Sequence, residues 1–259
     1  MIELNDLFQR FYNNTPIIGM IHLAGDREHD RVKRALKEIE IYQQEGVDVA
    51  LIENYHGDYA DIVNTLKAFA KIKEDAKIKP KIGIGVNILP NEFFPAFSLS
   101  AAYGGSFIQL DQVAGKYVEG TIEHKHFSEI KAIFNHMIVL GGVHPKYYTP
   151  VSGSSLEDDL KEGMKRAEVI VVTGEATGKE TPLEKIKYFK QVLGKHPLIV
   201  GSGLNPKNAY EQLMIADGGI VGSAFKPLNN TNNFVDSYLV HDFMDGAKQV
   251  RKDKGLCFK

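Results

Sequence analysis

Apolar positions along the chain fall into eight short Val/Ile/Gly-rich runs, each followed by residues at helical spacing. The predicted strands are 16–22 (PIIGMIH), 47–53 (VDVALIE), 81–87 (KIGIGVN), 106–110, 137–143, 168–173 (EVIVVT), 198–201 and 218–221. Each is too short for a typical helix and nearly continuous in apolar character, as strands buried on both faces are. The intervening helices are predicted at 31–44, 60–73, 93–103, 127–134, 156–167 and 182–193, then from Pro206 and over 236–250. The first of them places Val32, Ala35, Leu36, Ile39 and Tyr42 on one face. Residues 1–11, with Leu4, Leu7, Phe8 and Phe11 in helical register, predict an extra helix before the first strand.

Eight strand–helix units in 259 residues average about 32 residues each, the size of a βα repeat. The expectation is an α/β protein: a single (β/α)8 TIM barrel over residues 1–259, with no linker and with the C-terminal helix packed against the N-terminal units. A doubly wound open sheet is the alternative, weakened because no strand leads into a complete G-x-G-x-x-G turn.

Composition narrows the function classes. Thirty-one basic against 33 acidic residues leave a net charge of −2, so no global attraction to nucleic acid is expected. Cys257 is the single cysteine, which excludes a disulfide framework and a Cys-based zinc site. No apolar run approaches the length of a membrane span, and the first 14 residues lack the basic start of a signal peptide. The expectation is a cytoplasmic protein with no membrane insertion; homo-oligomerisation stays open.

In such a barrel, chemistry sits where the strands end. Those ends carry His22, Glu53 with Asn54, Asn87, Gln109 with Asp111, His144 with Lys146, Thr173 with Gly174, Gly201-Ser202-Gly203, and Gly222-Ser223. The two glycine turns after the seventh and eighth strands are the most specific signal. They let backbone N–H groups approach a phosphate, Ser202 and Ser223 can add hydroxyls, and a helix start after the eighth strand would add its dipole. Lys226 is expected on that helix, facing solvent.

Glu53 is the first candidate for proton transfer, oriented by His22 or Asn54, with Asp111 next in line; the alternative is a structural acid paired with Lys or His. Lys146 suits a Schiff base or a phosphate clamp. Asn54, Asn87, Gln109, Thr173 and Gly174 are candidate substrate contacts. His22, Glu53 and His144 are too dispersed to predict a metal site. No cofactor is predicted; FMN and a divalent metal are the alternatives. A serine nucleophile is disfavoured without a G-x-S-x-G elbow.

The segments 17–23 (IIGMIHL), 46–58 (GVDVALIENYHGD), 85–92 (GVNILPNE), 171–181 (VVTGEATGKET) and 198–226 together resemble the BtpA/SgcQ family of the ribulose-phosphate-binding barrels. Residues 23–26 (LAGD) replace the family's Pro-rich LPGSP, Gln109 stands where an Arg is common, and Gly141-Gly142 where an acid is common. The resemblance implies either of two roles. One is an enzyme using acid–base chemistry (lyase, isomerase or nucleosidase-type hydrolase) on a phosphorylated sugar or nucleoside-like substrate. The other is a non-catalytic biogenesis factor that keeps an anion pocket.

Overall fold

The computed structural model describes residue 9 and residues 14–74 and 81–256. The predicted helix over 1–11 and Cys257 lie outside the described residues, residue 9 apart. The elements alternate in chain order. They run β1 (Ile17–Ile21), α1 (Glu28–Gln44), β2 (Val49–Glu53), α2 (Tyr59–Glu74), β3 (Gly83–Asn87), α3 (Phe93–Tyr103), β4 (Phe107–Leu110) and α4 (His124–Ile133). They continue β5 (Ile138–Gly142), α5 (Leu156–Arg166), β6 (Val169–Val172), α6 (Leu183–Leu193), β7 (Leu198–Val200), α7 (Ala209–Ile215), β8 (Gly218–Val221) and α8 (Ser237–Asp253). All strand pairs are parallel, and β8 pairs with β1, so the sheet closes into an eight-stranded barrel.

The two-residue period of a strand divides the apolar residues between two cores. Ile18, Met20, Leu51, Phe107, Leu140 and Val171 belong to the cluster that fills the barrel. Ile17, Ile52, Val86, Ile108, Val139 and Val172 belong to the larger cluster shared with the helices. Inside, Phe107 occupies the space that a side chain at Gly85 would need; a Cβ there would lie 2.2 Å from the ring. Outside, Tyr42 covers Gly19 and donates its hydroxyl to the Met20 carbonyl at 2.8 Å.

Helix starts depart from the apolar pattern where polar residues build the first turn. Helix α4 begins at His124 because the Glu123 carboxylate accepts from the Lys125 and His126 N–H groups. Helix α1 opens with the charged run Glu28-His29-Asp30, which carries no apolar signal. Helix α7 begins only at Ala209, since residues 205–208 form a turn closed from the Asn205 N–H to Asn208 Oδ1 at 2.9 Å. As expected, α8 folds back onto the start of the chain. Arg251 bonds the Thr15 carbonyl and the Asp48 carboxylate, and Lys254 Nζ reaches Thr15 Oγ1 at 3.2 Å. After β8 the short helical start is of 3-10 type, two three-residue turns at Ser223–Phe225 and Pro227–Asn229, so it brings at most a small dipole to the glycine turns. None of the described helices is long and apolar enough to cross a membrane.

Candidate active site

The alternation that sends Met20, Leu51 and Phe107 inward carries on to the ends of the same strands. His22, Glu53, Asn87, Gln109 and Asp111, and Thr173 therefore share the inward parity at one end of the barrel. A cavity opens there, lined by His22, Glu53, Gln109, Asp111 and Thr173, by Lys146 from the β5–α5 loop, and by both glycine turns.

Glu53 and Asp111 form the acidic side of this cavity. Glu53 is buried and accepts a hydrogen bond from Asn87 Nδ2 at 2.7 Å. Burial and the nearby Asp111 push its carboxyl up to about 7, against the opposing pull of Lys146 and Asn87. Asp111 is also raised by burial, although Lys146, Asn87 and the Tyr148 hydroxyl act to keep it ionised. Two buried carboxyl groups acted on by the same amide, one poised near neutrality, make a proton donor–acceptor pair.

Cationic groups also act on the cavity. Burial, Lys226, His56, Lys146 and Arg34 together hold His22 well below the usual histidine range, so its ring is neutral. The ring packs over Gly222, where a Cβ would come within 2.7 Å of His22 Cε1, and its Nδ1 is buried without a partner. Lys146 donates its backbone N–H to Thr173 Oγ1 at 2.8 Å, and its ammonium donates to Thr177 Oγ1 at 3.0 Å.

The two turns differ in construction. Ser202 Oγ accepts from the Gly174 N–H at 2.7 Å and lies 3.3 Å from Thr181 Oγ1, so Gly174 supports the turn rather than offering its N–H to a ligand. Gly203 has φ 71° and sits against the 179–180 backbone, where a Cβ would approach the Lys179 carbonyl to 2.2 Å. Among the described residues, the backbone N–H groups of Gly203 and Ser223 have no acceptor, and both residues line the cavity.

Three expectations need correction. Asn54 turns away from the cavity and clamps Leu89, accepting its N–H at 2.8 Å and donating to its carbonyl at 3.3 Å. Asn87 lies beneath the lining as the donor to Glu53, where strand parity and complete burial place it. Lys226 is buried rather than solvated. Its ammonium donates to the Thr231 carbonyl at 3.0 Å and sits 3.9 Å from Glu38, while burial pushes its pKa down to about 8. His144 pairs with Asp159 at 2.7 Å, outside the lining. Among the described residues, no three His, Cys, Asp or Glu side chains are grouped to hold a metal. Tyr55, Tyr147 and Thr177 also line the cavity, and Tyr148 reaches Asp111. They stand in loops one or more residues past the strand ends, where no period predicts direction.

Residues 13–249 match the BtpA family. The chain belongs to the BtpA family. An uncharacterized protein of Methanocaldococcus jannaschii is 32% identical over 259 residues, covering 92% of this chain and 95% of that one. The photosystem I biogenesis protein BtpA of Synechocystis sp. is 25% identical over 272 residues, covering 96% and 93%. Among solved structures, N-(5'-phosphoribosyl)anthranilate isomerase from Pyrococcus furiosus superposes with a TM-score of 0.58 at 16% identity, covering 91% of this chain and 100% of that one. A structure described as native KDPGal gives 0.61 at 14%, covering 92% and 96%. At such identities these two likenesses speak for the barrel fold of this BtpA-family chain alone.

Proposed function

We propose that this BtpA-family barrel is an enzyme for a small phosphorylated sugar or nucleoside-like compound, with Glu53 as the proton-transfer group. The observation that carries the reading is the Glu53–Asp111 pair. A buried carboxyl poised near 7 beside a second carboxyl is costly to the fold and suited to moving protons at neutral pH. The phosphate belongs at the Gly203 and Ser223 N–H groups, in a cavity on which Lys146, Lys226 and Arg34 act. Lyase, isomerase and hydrolase chemistry all use such a pair; Lys146 opposes the effect of burial on both carboxyls, so that one can hold a proton while the other receives one.

The competing reading is a non-catalytic biogenesis role, suggested by the name of the Synechocystis relative. It gives no reason for burying two carboxyl groups around an electropositive cleft. A thermal-shift screen of phosphorylated metabolites identifies the ligand, since saturation at 100 Kd stabilises by about 2.7 kcal/mol. With that compound, Glu53→Gln should bind within a few-fold of the wild type and turn over about 100-fold more slowly. A rate unchanged in Glu53→Gln makes Glu53 structural, and a ligand bound without turnover by the wild type favours the biogenesis role.

A further inference from the structure

Two tyrosines at the mouth of the cavity have no place in the proton-transfer scheme. Tyr55 follows β2 and is wedged edge-on between His22 and His56, with ring centroids 5.3 and 4.8 Å away. Tyr147 comes from the β5–α5 loop on the other side of the barrel. Its hydroxyl accepts from the Thr177 N–H at 2.9 Å and lies 3.3 Å from Thr177 Oγ1, and the Tyr55 side chain helps to lower its pKa. The Lys146 ammonium stands 5.8 Å from the centre of the Tyr147 ring.

Tyr147 adopts φ 67°, a left-handed backbone that costs a residue with a Cβ on the order of 1–2 kcal/mol. Nothing in the core offsets that cost, because the residue is 59% exposed. Tyr55 is 36% exposed, with the rest of its surface covered in part by His22 and His56. Strained backbone of this kind, held in place by surrounding contacts, clusters at active sites and ligand clamps. The tyrosines also border the phosphate turns: Gly178, next to Thr177, lies so near Ser223 that a Cβ would stand 3.2 Å from its hydroxyl oxygen.

We propose that Tyr55 and Tyr147 form a stacking subsite for a planar ring, so that the ligand is a phosphomonoester joined to an aromatic or heteroaromatic group rather than a bare sugar phosphate. The proposal rests on the phosphate reading of this cavity. The tyrosines, the Gly203 and Ser223 turns and the Glu53–Asp111 pair all line this one cavity, so a ligand that spans it meets all three. Tyrosine suits this role because its face accepts any planar ring and its two side-chain torsions lose little freedom. A nucleoside 5'-monophosphate and flavin mononucleotide share the required chemistry.

The test is calorimetric titration with inorganic phosphate, ribose 5-phosphate, adenosine and uridine 5'-monophosphates, and flavin mononucleotide. Wild type, Tyr55→Leu, Tyr147→Leu, Tyr55→Phe and Tyr147→Phe are compared, with melting temperatures confirming that each is folded. At least one ring-bearing phosphate should bind about ten-fold or more tightly than ribose 5-phosphate. Which of them does so separates a nucleotide from a flavin. Both leucine variants should erase that preference and leave ribose 5-phosphate within about two-fold, while the phenylalanine variants keep it. Tyr55→Leu has an ordinary backbone, so it answers even if Tyr147→Leu relaxes its loop. Equal wild-type affinities, or a preference that survives both leucine variants, overturn the subsite. A preference lost in the phenylalanine variants shows that the tyrosine hydroxyls act instead, and also overturns it. If every phosphate compound fails to bind, the phosphate reading falls first and the subsite with it.

Discussion

Asn87 donates to the Glu53 carboxyl from directly below the cavity, at 2.7 Å, and its amide also acts on Asp111. One neutral side chain thus lowers the pKa of both carboxyls, in opposition to burial. Asn87→Leu removes that donor, so the Glu53 pKa should rise above its present value of about 7. The limb of the pH–rate profile assigned to Glu53 should move to higher pH by the same amount. A limb that stays in place would show that Asn87 does not tune the pair.

Glu53 should weaken the fold at neutral pH. Its folded pKa of about 7 exceeds the ordinary 4.5, so the native state holds the proton more tightly than the unfolded chain. Its contribution is therefore fully favourable below about pH 4.5 and is lost as pH rises through 7. Glu53→Gln should be more stable than wild type at pH 8, by at most about 3 kcal/mol, and no more stable at pH 4.5. Denaturant unfolding at the two pH values measures the difference.

Lys226 is a buried cation whose pKa is pushed down to about 8. Phosphate binding by the wild type should weaken as pH rises through 8, because the cavity loses the effect of this charge. Lys226→Met should bind phosphate several-fold more weakly at pH 7 and lack the step near pH 8. Titration at constant ionic strength separates this from screening.

The glycine turns call for different substitutions. Gly203→Val forces a branched side chain into the 179–180 backbone as well as a left-handed φ, so loss of folding would obscure loss of binding. Ser223→Asp puts a negative charge in the same cleft without such a collision. Phosphate affinity should drop more than ten-fold with little change in melting temperature. Unchanged affinity would place the anion elsewhere.

Asn54 is expected to matter for stability only. Asn54→Ala deletes both bonds to Leu89 and should cost about 1–2 kcal/mol in unfolding free energy. Phosphate binding should hold within two-fold.

Legibility in the sequence followed periodicity. Helix α3 runs over the predicted residues 93–103, and β8 over the predicted 218–221, because apolar spacing reports burial directly. Strand ends could be read as well: His22, Glu53, Gln109, Asp111 and Thr173 reach the cavity because parity continues from the buried residues below them. One residue of phase decides the matter, and Asn54, next to Glu53, faces the opposite way and holds Leu89 instead.

The apolar runs by themselves determined the alternating strands and helices of a parallel α/β sheet and the strand ends that carry polar groups, since burial and a period of two fix which face each residue takes. The pairing of β8 with β1 closed the sheet. Only the tertiary structure decided which neighbours those groups meet. Lys226 reads like any charged residue after a strand, yet Glu38 of α1 and the turn carrying Thr231 enclose it. Glu53 acquires its raised pKa from burial and from Asp111 beyond β4, against the pull of Lys146 and Asn87. Tyr147 reaches Tyr55 across the mouth through a loop that no repeat constrains. Such contacts depend on the curvature that closes the sheet, because it brings together residues far apart in the chain, and electrostatic shifts depend on those distances rather than on sequence order.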